Sequence, residues 1–209
     1  MIIAVDGPTA SGKGTIAKAL AQHFNLPHLD TGLLYRAVGR QAELQGMDPD
    51  SSADALAACD FPDALLSDPE LRSERTGGLA SRVSIHTDVR KALYERQRSF
   101  ATQAGGAVLD GRDIGTVIAP EAEIKLFVTA SVDARAQRRF LEMKQRNDDV
   151  TLAAIEEDLR QRDERDRNRT EAPLIPAQDA YIIDTSALNK DDAIQAAIDV
   201  AEDVKASFS

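Results

Sequence analysis

The chain has 209 residues, 43% of them hydrophobic and 29% charged, which suits one well-buried α/β core and is short for two. Its formal charge of −10 excludes a general nucleic-acid binder, which needs a basic footprint, yet allows a local basic cleft for phosphates. No apolar stretch approaches the roughly 20 residues that span a bilayer, and the single cysteine, Cys59, lies in an apolar run and reads as a small packed hydrophobe in a reducing compartment.

The first segment, Ile2–Asp6, reads as a strand. Directly after it come Gly7, Pro8, Thr9, Ala10, Ser11, Gly12, Lys13, Gly14 and Thr15, which open a helix over 12–24. Strand, glycine-rich turn and helix are the context a phosphate-binding P-loop requires. Its glycines let successive N–H groups point inward, the helix start adds the positive end of its dipole, and Lys13 brings a mobile cation to the β- and γ-phosphates. The hydroxyl that would reach a metal is delayed by one residue to Thr15, a variation shown by nucleotide kinases that resemble adenylate kinase.

A second strand over 27–30 runs into Asp30, Thr31 and Gly32, with Tyr35 and Arg36 close behind on a helix over 32–45. A hydroxyl and an arginine at a helix entrance offer a seat for a second anion, although an N-cap with a surface arginine explains them equally well. Residues 48–78 break the rhythm. Asp-Pro and Phe-Pro turn signals mark a short insertion, and without a second core it reads as an appendage of a single domain spanning 1–209. One long helix is expected over 79–102.

The third strand, 107–110, ends in Asp110, Gly111, Arg112 and Asp113. Charges at the carboxyl edge of a parallel sheet are costly unless something compensates them. Asp110 is placed to hold magnesium through water, Arg112 to fork onto a phosphate, and Asp113 to accept from an exocyclic amine. A fourth strand over 125–129 leads into a helix over 132–144, where Arg135 and Arg139 share a face and could flank the donor nucleotide, one of them stacking on its base.

The next helix, 151–165, runs into four arginines and three acids within 162–169. Helical spacing puts Arg162, Arg165 and Arg169 on one face, with Pro173 and Pro176 stopping the helix. A movable arginine lid, about 151–172, suits phosphoryl transfer, though a solvated face laced by ion pairs is the common alternative. After a fifth strand, Tyr181–Asp184, the run Asn189-Lys190-Asp191-Asp192 imitates a GTPase base-reading motif. No Asp-x-x-Gly accompanies it, so Asn189 reads as the cap of the last helix, 190–206.

Taken together these segments predict a five-stranded parallel sheet flanked by helices, of P-loop NTPase type, with a short acceptor-binding insertion and an arginine-rich lid. The motifs Asp-Gly-Pro-x-x-x-Gly-Lys-Gly-Thr, Asp-Thr-Gly-x-x-Tyr-Arg, Asp-Gly-Arg-Asp-x-Gly-Thr, Arg-Asp-x-Arg-Asp-x-x-Arg and Ala-Pro-Leu-x-Pro-Ala-x-Asp-Ala run the length of the chain. In this combination the sequence resembles the bacterial-type cytidylate kinases. The resemblance implies ATP as donor, CMP and dCMP as acceptors, and Mg2+ as the ion, held by Thr15 and Asp110. It also implies that Ser81, Arg90 and Asp113 hold the cytosine and that Arg162 and Asp166 meet the sugar. Arg36, Arg112 and Arg169 would then grip the acceptor phosphate, with Lys13, Arg112, Arg162 and Arg169 offsetting charge during transfer. Members of this family often carry a longer insertion with a small sheet, whereas 62–78 is short here and lacks strand alternation.

An acceptor phosphate oxygen is already anionic, so in-line transfer needs no general base and no covalent intermediate. The nearest rival reading is a kinase of another small acceptor, such as dephospho-coenzyme A. A non-catalytic nucleotide-binding regulator is the rival from another class. A cytoplasmic monomer is expected, with neither nucleic-acid nor membrane partners.

Overall fold

Strand β1, Ile2–Asp6, lies at the centre of a parallel sheet. Its unbroken apolar run suits a strand covered on both faces, and Ile3, Ala4 and Val5 are fully buried. The computed structural model describes residues 1–145 and 150–207. β2 (His28–Asp30), β3 (Ala107–Gly111), β4 (Ile124–Thr129) and β5 (Tyr181–Asp184) complete the sheet in the order β2-β3-β1-β4-β5. Asp6 registers against Gly111 on one side and Phe127 on the other, so the ends of β1 and β3 come level while β4 runs on to Thr129. That level edge is where open α/β sheets present their ligand-binding loops.

The chain divides into two compact units, Met1–Leu29 with Ala101–Ser209, and Asp30–Phe100. In the first, the helix α1 (Lys13–Phe24) packs Ile16 and Leu20 into one cluster with Ile3, Val5, Val108, Ile124, Leu126 and Val128.

The second unit is helical: α2 (Thr31–Leu44), α3 (Ser52–Ala57), two 3₁₀ turns at Asp63–Ser67 and Pro69–Arg72, α4 (Glu74–Val83) and α5 (Thr87–Ala101), whose last residue belongs to the first unit. Residues 48–78 are more than a surface appendage. Ala55, Ala58, Phe61 and Leu71 join Leu34, Val38, Val83 and Leu93 in a core of this unit's own. Gly39 lets α2 and α4 approach closely, because a Cβ there would lie 2.7 Å from the Cβ of Leu79. Cys59 packs beside this core, and burial pushes its thiol up to about 11, which suits a packed hydrophobe rather than a nucleophile.

The long helix expected over 79–102 is two helices broken at 84–86. Ser84 turns its hydroxyl back to the carbonyl of Ser81 at 3.0 Å, a local bond that competes with helix continuation, and β-branched Val83 and Ile85 flank it. No strand forms within 62–78, as the lack of alternation implied.

In the first unit α6 (Val132–Gln145) and α7 (Leu152–Arg167) pack together through Ala136, Ile155 and Leu159. The last helix, α8 (Lys190–Ser207), lays Ala193, Ala197 and Ala201 at four-residue spacing into the sheet's core. Asn189 caps it, its Oδ1 accepting from the amide of Asp192 at 2.9 Å. Among the described residues no helix is long and apolar enough to cross a membrane.

Candidate active site

The phosphate loop leaves β1 through Gly7, whose φ is +151° and where a Cβ would fall 2.0 Å from the Val128 carbonyl oxygen, so only glycine fits. Ala10 (φ 59°) and Gly12 (φ 89°) are left-handed, which curls the loop so that its amides turn inward. Gly12 precedes α1, and Lys13 is the helix's first residue. The loop is gripped from behind by two residues whose sequence context gave no hint of it. Thr185, just past β5, donates its hydroxyl to the Ser11 carbonyl at 2.9 Å, and Arg135 donates to the Thr9 carbonyl at 3.2 Å.

The loop after β3 carries Asp110, Arg112 and Asp113. Asp110 is buried and accepts from His28 Nε2 on β2 at 2.7 Å, so a carboxylate partner fixes that ring nitrogen as the donor. Its other oxygen faces the phosphate loop, 3.5 Å from where a Cβ of Gly14 would stand. Thr15 lies exposed on the first turn of α1. A buried carboxylate oxygen turned to a phosphate cradle, with a hydroxyl beside that cradle, is a hard-oxygen donor set that fits magnesium.

Asp113 is buried and precedes a single π-type turn, Ile114–Ile118. The next two amides, of Ile114 and Gly115, donate to the two carboxylate oxygens of Asp6 at 2.9 and 2.8 Å. Burial pushes the Asp6 carboxyl up to about 7; the Gly115 and Ile114 amides oppose that, the charge of Asp113 adds to it, and the charge of Lys13 opposes it. In sequence Asp6 was only a strand end. Its partners lie more than a hundred positions away, beyond any local pattern.

Two of the sequence-derived arginines meet at Asp166, and the charge of a third, Arg162, acts on it. Arg112 Nε lies 2.9 Å from Asp166 Oδ2, and Arg169 Nη2 lies 3.0 Å from Oδ1. Burial works to raise this carboxyl, but the fields of Arg112, Arg169 and Arg162 outweigh it and hold it below the usual carboxylate range. One expectation is corrected here. Arg162, Arg165 and Arg169 do not share a helix face, because α7 ends at Arg167 and Asn168 caps it. Asn168 is a weak helix former, and the Asp166 carbonyl is then taken by the amide of Leu174 at 2.8 Å. Arg169 reaches Asp166 from the turn beyond the helix. Arg162 and Asp166 are buried on α7, whereas Arg165 is half-buried and Arg167 is exposed.

Arg135 also takes a place other than the one its spacing suggested. Its guanidinium forks onto Asp163 at 3.0 and 2.5 Å and donates from Nε to the Ala130 carbonyl, and its side chain is 2% exposed. Enclosed in this way it presents no face on which a base can stack. Arg139 is the more accessible of the pair and lies 3.3 Å from Glu142.

In the helical unit Thr31 is buried as the first residue of α2. Arg36 Nη1 donates to the carbonyls of Leu71 and Ser73 at 2.7 and 2.9 Å, which ties α2 to the start of α4. Ser81 on α4 and Arg90 on α5 are both buried. Arg90 stands 5.7 Å from the ring centroid of Tyr35, a cation–π contact, and donates to the Ser84 carbonyl at 3.5 Å. The helix break at 84–86 therefore places a carbonyl that helps to hold Arg90.

A parallel sheet, a glycine-rich cradle at the end of its central strand, and carboxylate and arginine groups on the neighbouring strand-end loop define an α/β protein of the P-loop kinase class. The family model described as cytidylate kinase matches residues 3–203. The chain is 54% identical over 200 residues to a cytidylate kinase of Cereibacter sphaeroides, covering 96% of this chain and 94% of that one. It is 52% identical to one from Xanthobacter autotrophicus, covering 97% of each. Among solved structures it is similar in fold to an uncharacterized protein from Eubacterium ventriosum, with TM-score 0.54, 17% identity, and 95% and 96% of the two chains covered. The chain belongs to the cytidylate kinase family.

Proposed function

We infer that the protein transfers the γ-phosphoryl group of ATP to CMP or dCMP, giving CDP or dCDP and ADP. Membership of the family supports this reading, and the observation that carries it in the structure is the gathering of Arg112, Arg162 and Arg169 around Asp166. Guanidinium groups brought from the loop after β3, from α7 and from the turn beyond it offer planar forks of the kind that match a phosphate. Gly7 through Thr15 hold the donor phosphates, and Lys13 follows the migrating group. Arg112 and Arg169 grip the acceptor phosphate, while Arg162 and Asp166 meet the sugar. Arg36, Ser81 and Arg90 are acceptor-side groups of the helical unit, with Thr31 at the entrance of α2. Asp113 accepts from the exocyclic amine of cytosine. Arg139 remains the candidate on the donor-nucleotide side, since Arg135 is enclosed.

The chemistry is positioning and charge neutralisation. The acceptor phosphate is itself the nucleophile, and no side chain needs to take a proton before attack. Thr15 and Asp110 would hold magnesium, which when bound supplies charge neutralisation at the donor phosphates. We place the enzyme in the cytoplasm, a reading that its single cysteine supports, as a monomer acting on small nucleotides, which its acidic composition supports.

An acceptor panel tests the proposal. With ATP and magnesium, ADP release should be fastest with CMP and dCMP, and UMP should be at least roughly tenfold poorer in kcat/KM. Faster turnover of AMP or dephospho-coenzyme A, or no turnover of any acceptor, would overturn it.

A further inference from the structure

We propose that Asp6 is a positioning residue for base choice, setting from within the sheet the backbone that carries Asp113. The inference rests on Asp113 reading the cytosine amine. Both oxygens of Asp6 are engaged by consecutive amides, those of Ile114 and Gly115, directly after Asp113. On its other side the Asp113 carbonyl accepts from Val117 and Ile118 at 2.9 and 3.2 Å, closing the π-type turn onto itself. The main chain of Asp113 is thus fixed twice, once by the turn and once by a side chain of the central strand.

Asp6 is a rigid anchor for this purpose. It is held in ladders to β3 and β4 and is shut off from solvent. The seat it makes is tight. A Cβ on Gly115 would stand 3.3 Å from Lys125 Cδ and 3.5 Å from Asp6 Oδ2, so the loop has little room to shift. Lys125 is in turn pinned, donating to the Pro120 carbonyl at 2.6 Å and to both oxygens of Asp179. A plain structural peg would serve fold stability alone. Asp6 also directly precedes the phosphate loop, so a general loosening at this point would disturb ATP and acceptor together. A positioning role predicts a change confined to the acceptor.

The test is Asp6→Asn. The amide keeps the shape but accepts with one oxygen only and turns an N–H toward the other backbone amide, so one of the two bonds is lost. A neutral group suits a carboxyl site where burial already pushes the pKa up to about 7, so this variant should fold. The expected result is a fall of about fivefold or more in the ratio of kcat/KM for CMP over UMP, a raised acceptor KM, and an ATP Kd changed by less than about twofold. Asp113→Asn is measured beside it. If Asp113→Asn leaves the ratio untouched, the base-reading role fails and takes this inference with it. If Asp113→Asn erodes the ratio while a folded Asp6→Asn does not, the inference alone is overturned. Should Asp6→Asn not fold, Gly115→Ala presses a methyl against the same seat. It should erode the ratio by about twofold or more with the ATP Kd held, and an unchanged ratio would overturn the inference.

Discussion

On α7, Asp163 takes the fork of Arg135 at 3.0 and 2.5 Å, and both side chains are closed off from water. Three residues on, Asp166 is shared between Arg112 and Arg169, with the charge of Arg162 acting on it as well. The two junctions use the same chemical groups on the same helix, yet they differ in how the carboxylate is held. The first is a one-to-one fork that also ties α6 and α7 to the phosphate loop through the Thr9 carbonyl. The more distant Arg167, 3.9 Å away and exposed, adds little to it. The second takes a different arginine on each oxygen, Arg112 from the loop after β3 and Arg169 from the turn beyond α7, while the charge of Arg162 also acts on it. A buried fork of the first kind fastens elements, whereas arginines that converge from separate elements are the ones we propose to grip an anionic ligand.

The sharpest way to break this comparison is Asp163→Ala. It strands a buried guanidinium, so unfolding free energy should drop by about 3–5 kcal/mol in urea titration. A loss below about 1 kcal/mol would show that the Arg135 fork fastens nothing.

Next in size is Lys13→Ala, which lies outside both junctions and should act on rate alone. Its kcat should fall by about 10²–10³ with the thermal midpoint unchanged. Retention of more than about a third of the wild-type rate would remove Lys13 from the chemistry.

Asp6 supplies a contrast in pH. Its folded pKa, about 7, lies above the unfolded value of 3.8, so the folded state binds the proton more tightly. The associated stability is present below pH 3.8 and is lost as pH rises through 7. Wild type should therefore lose about 2–3 kcal/mol relative to Asp6→Asn between pH 5 and pH 7, at about 1.4 kcal/mol per pH unit. Asp166 has the opposite sign. Its depressed pKa contributes stability above the ordinary carboxylate range and loses it as pH falls through the folded value. A flat difference curve for Asp6→Asn would place its carboxyl in an ordinary environment.

Smaller again is Arg169→Ala, which removes one of the arginines at Asp166. The acceptor kcat/KM should fall by about 10–100-fold while ATP affinity holds. Arg167→Ala should stay within about twofold, because that side chain is exposed and screened. Loss of ATP affinity instead would exchange the donor and acceptor sides.

Much of this was legible in the chain. The phosphate loop follows β1 as its glycines required, and the five strands fall where short apolar runs end in Asp or Thr. Arg112, Asp166 and Arg169 were each singled out by type and neighbourhood. Their meeting at one carboxylate depended on where α7 stops, and Asn168 marks that stop only weakly in sequence. Helical spacing also gave Arg135 and Arg139 the same standing. Only the packing of α6 against α7 buries one and leaves the other accessible. The core under 48–78 was hidden because its apolar residues are spread among turn signals. Their partners on α2, Leu34 and Val38, precede the segment and gather it from a distance.

The fate of the γ-phosphoryl group separates a cytidylate kinase from every rival reading. The protein is mixed with ATP radiolabelled at the γ-phosphate, magnesium, and equal CMP and UMP, and the products are separated. Labelled CDP should form one for one with ADP, in excess over labelled UDP by at least roughly tenfold, and its rate of formation should fall by about 10²–10³ with Lys13→Ala. ADP release without labelled CDP, or label appearing first in UDP, would contradict it.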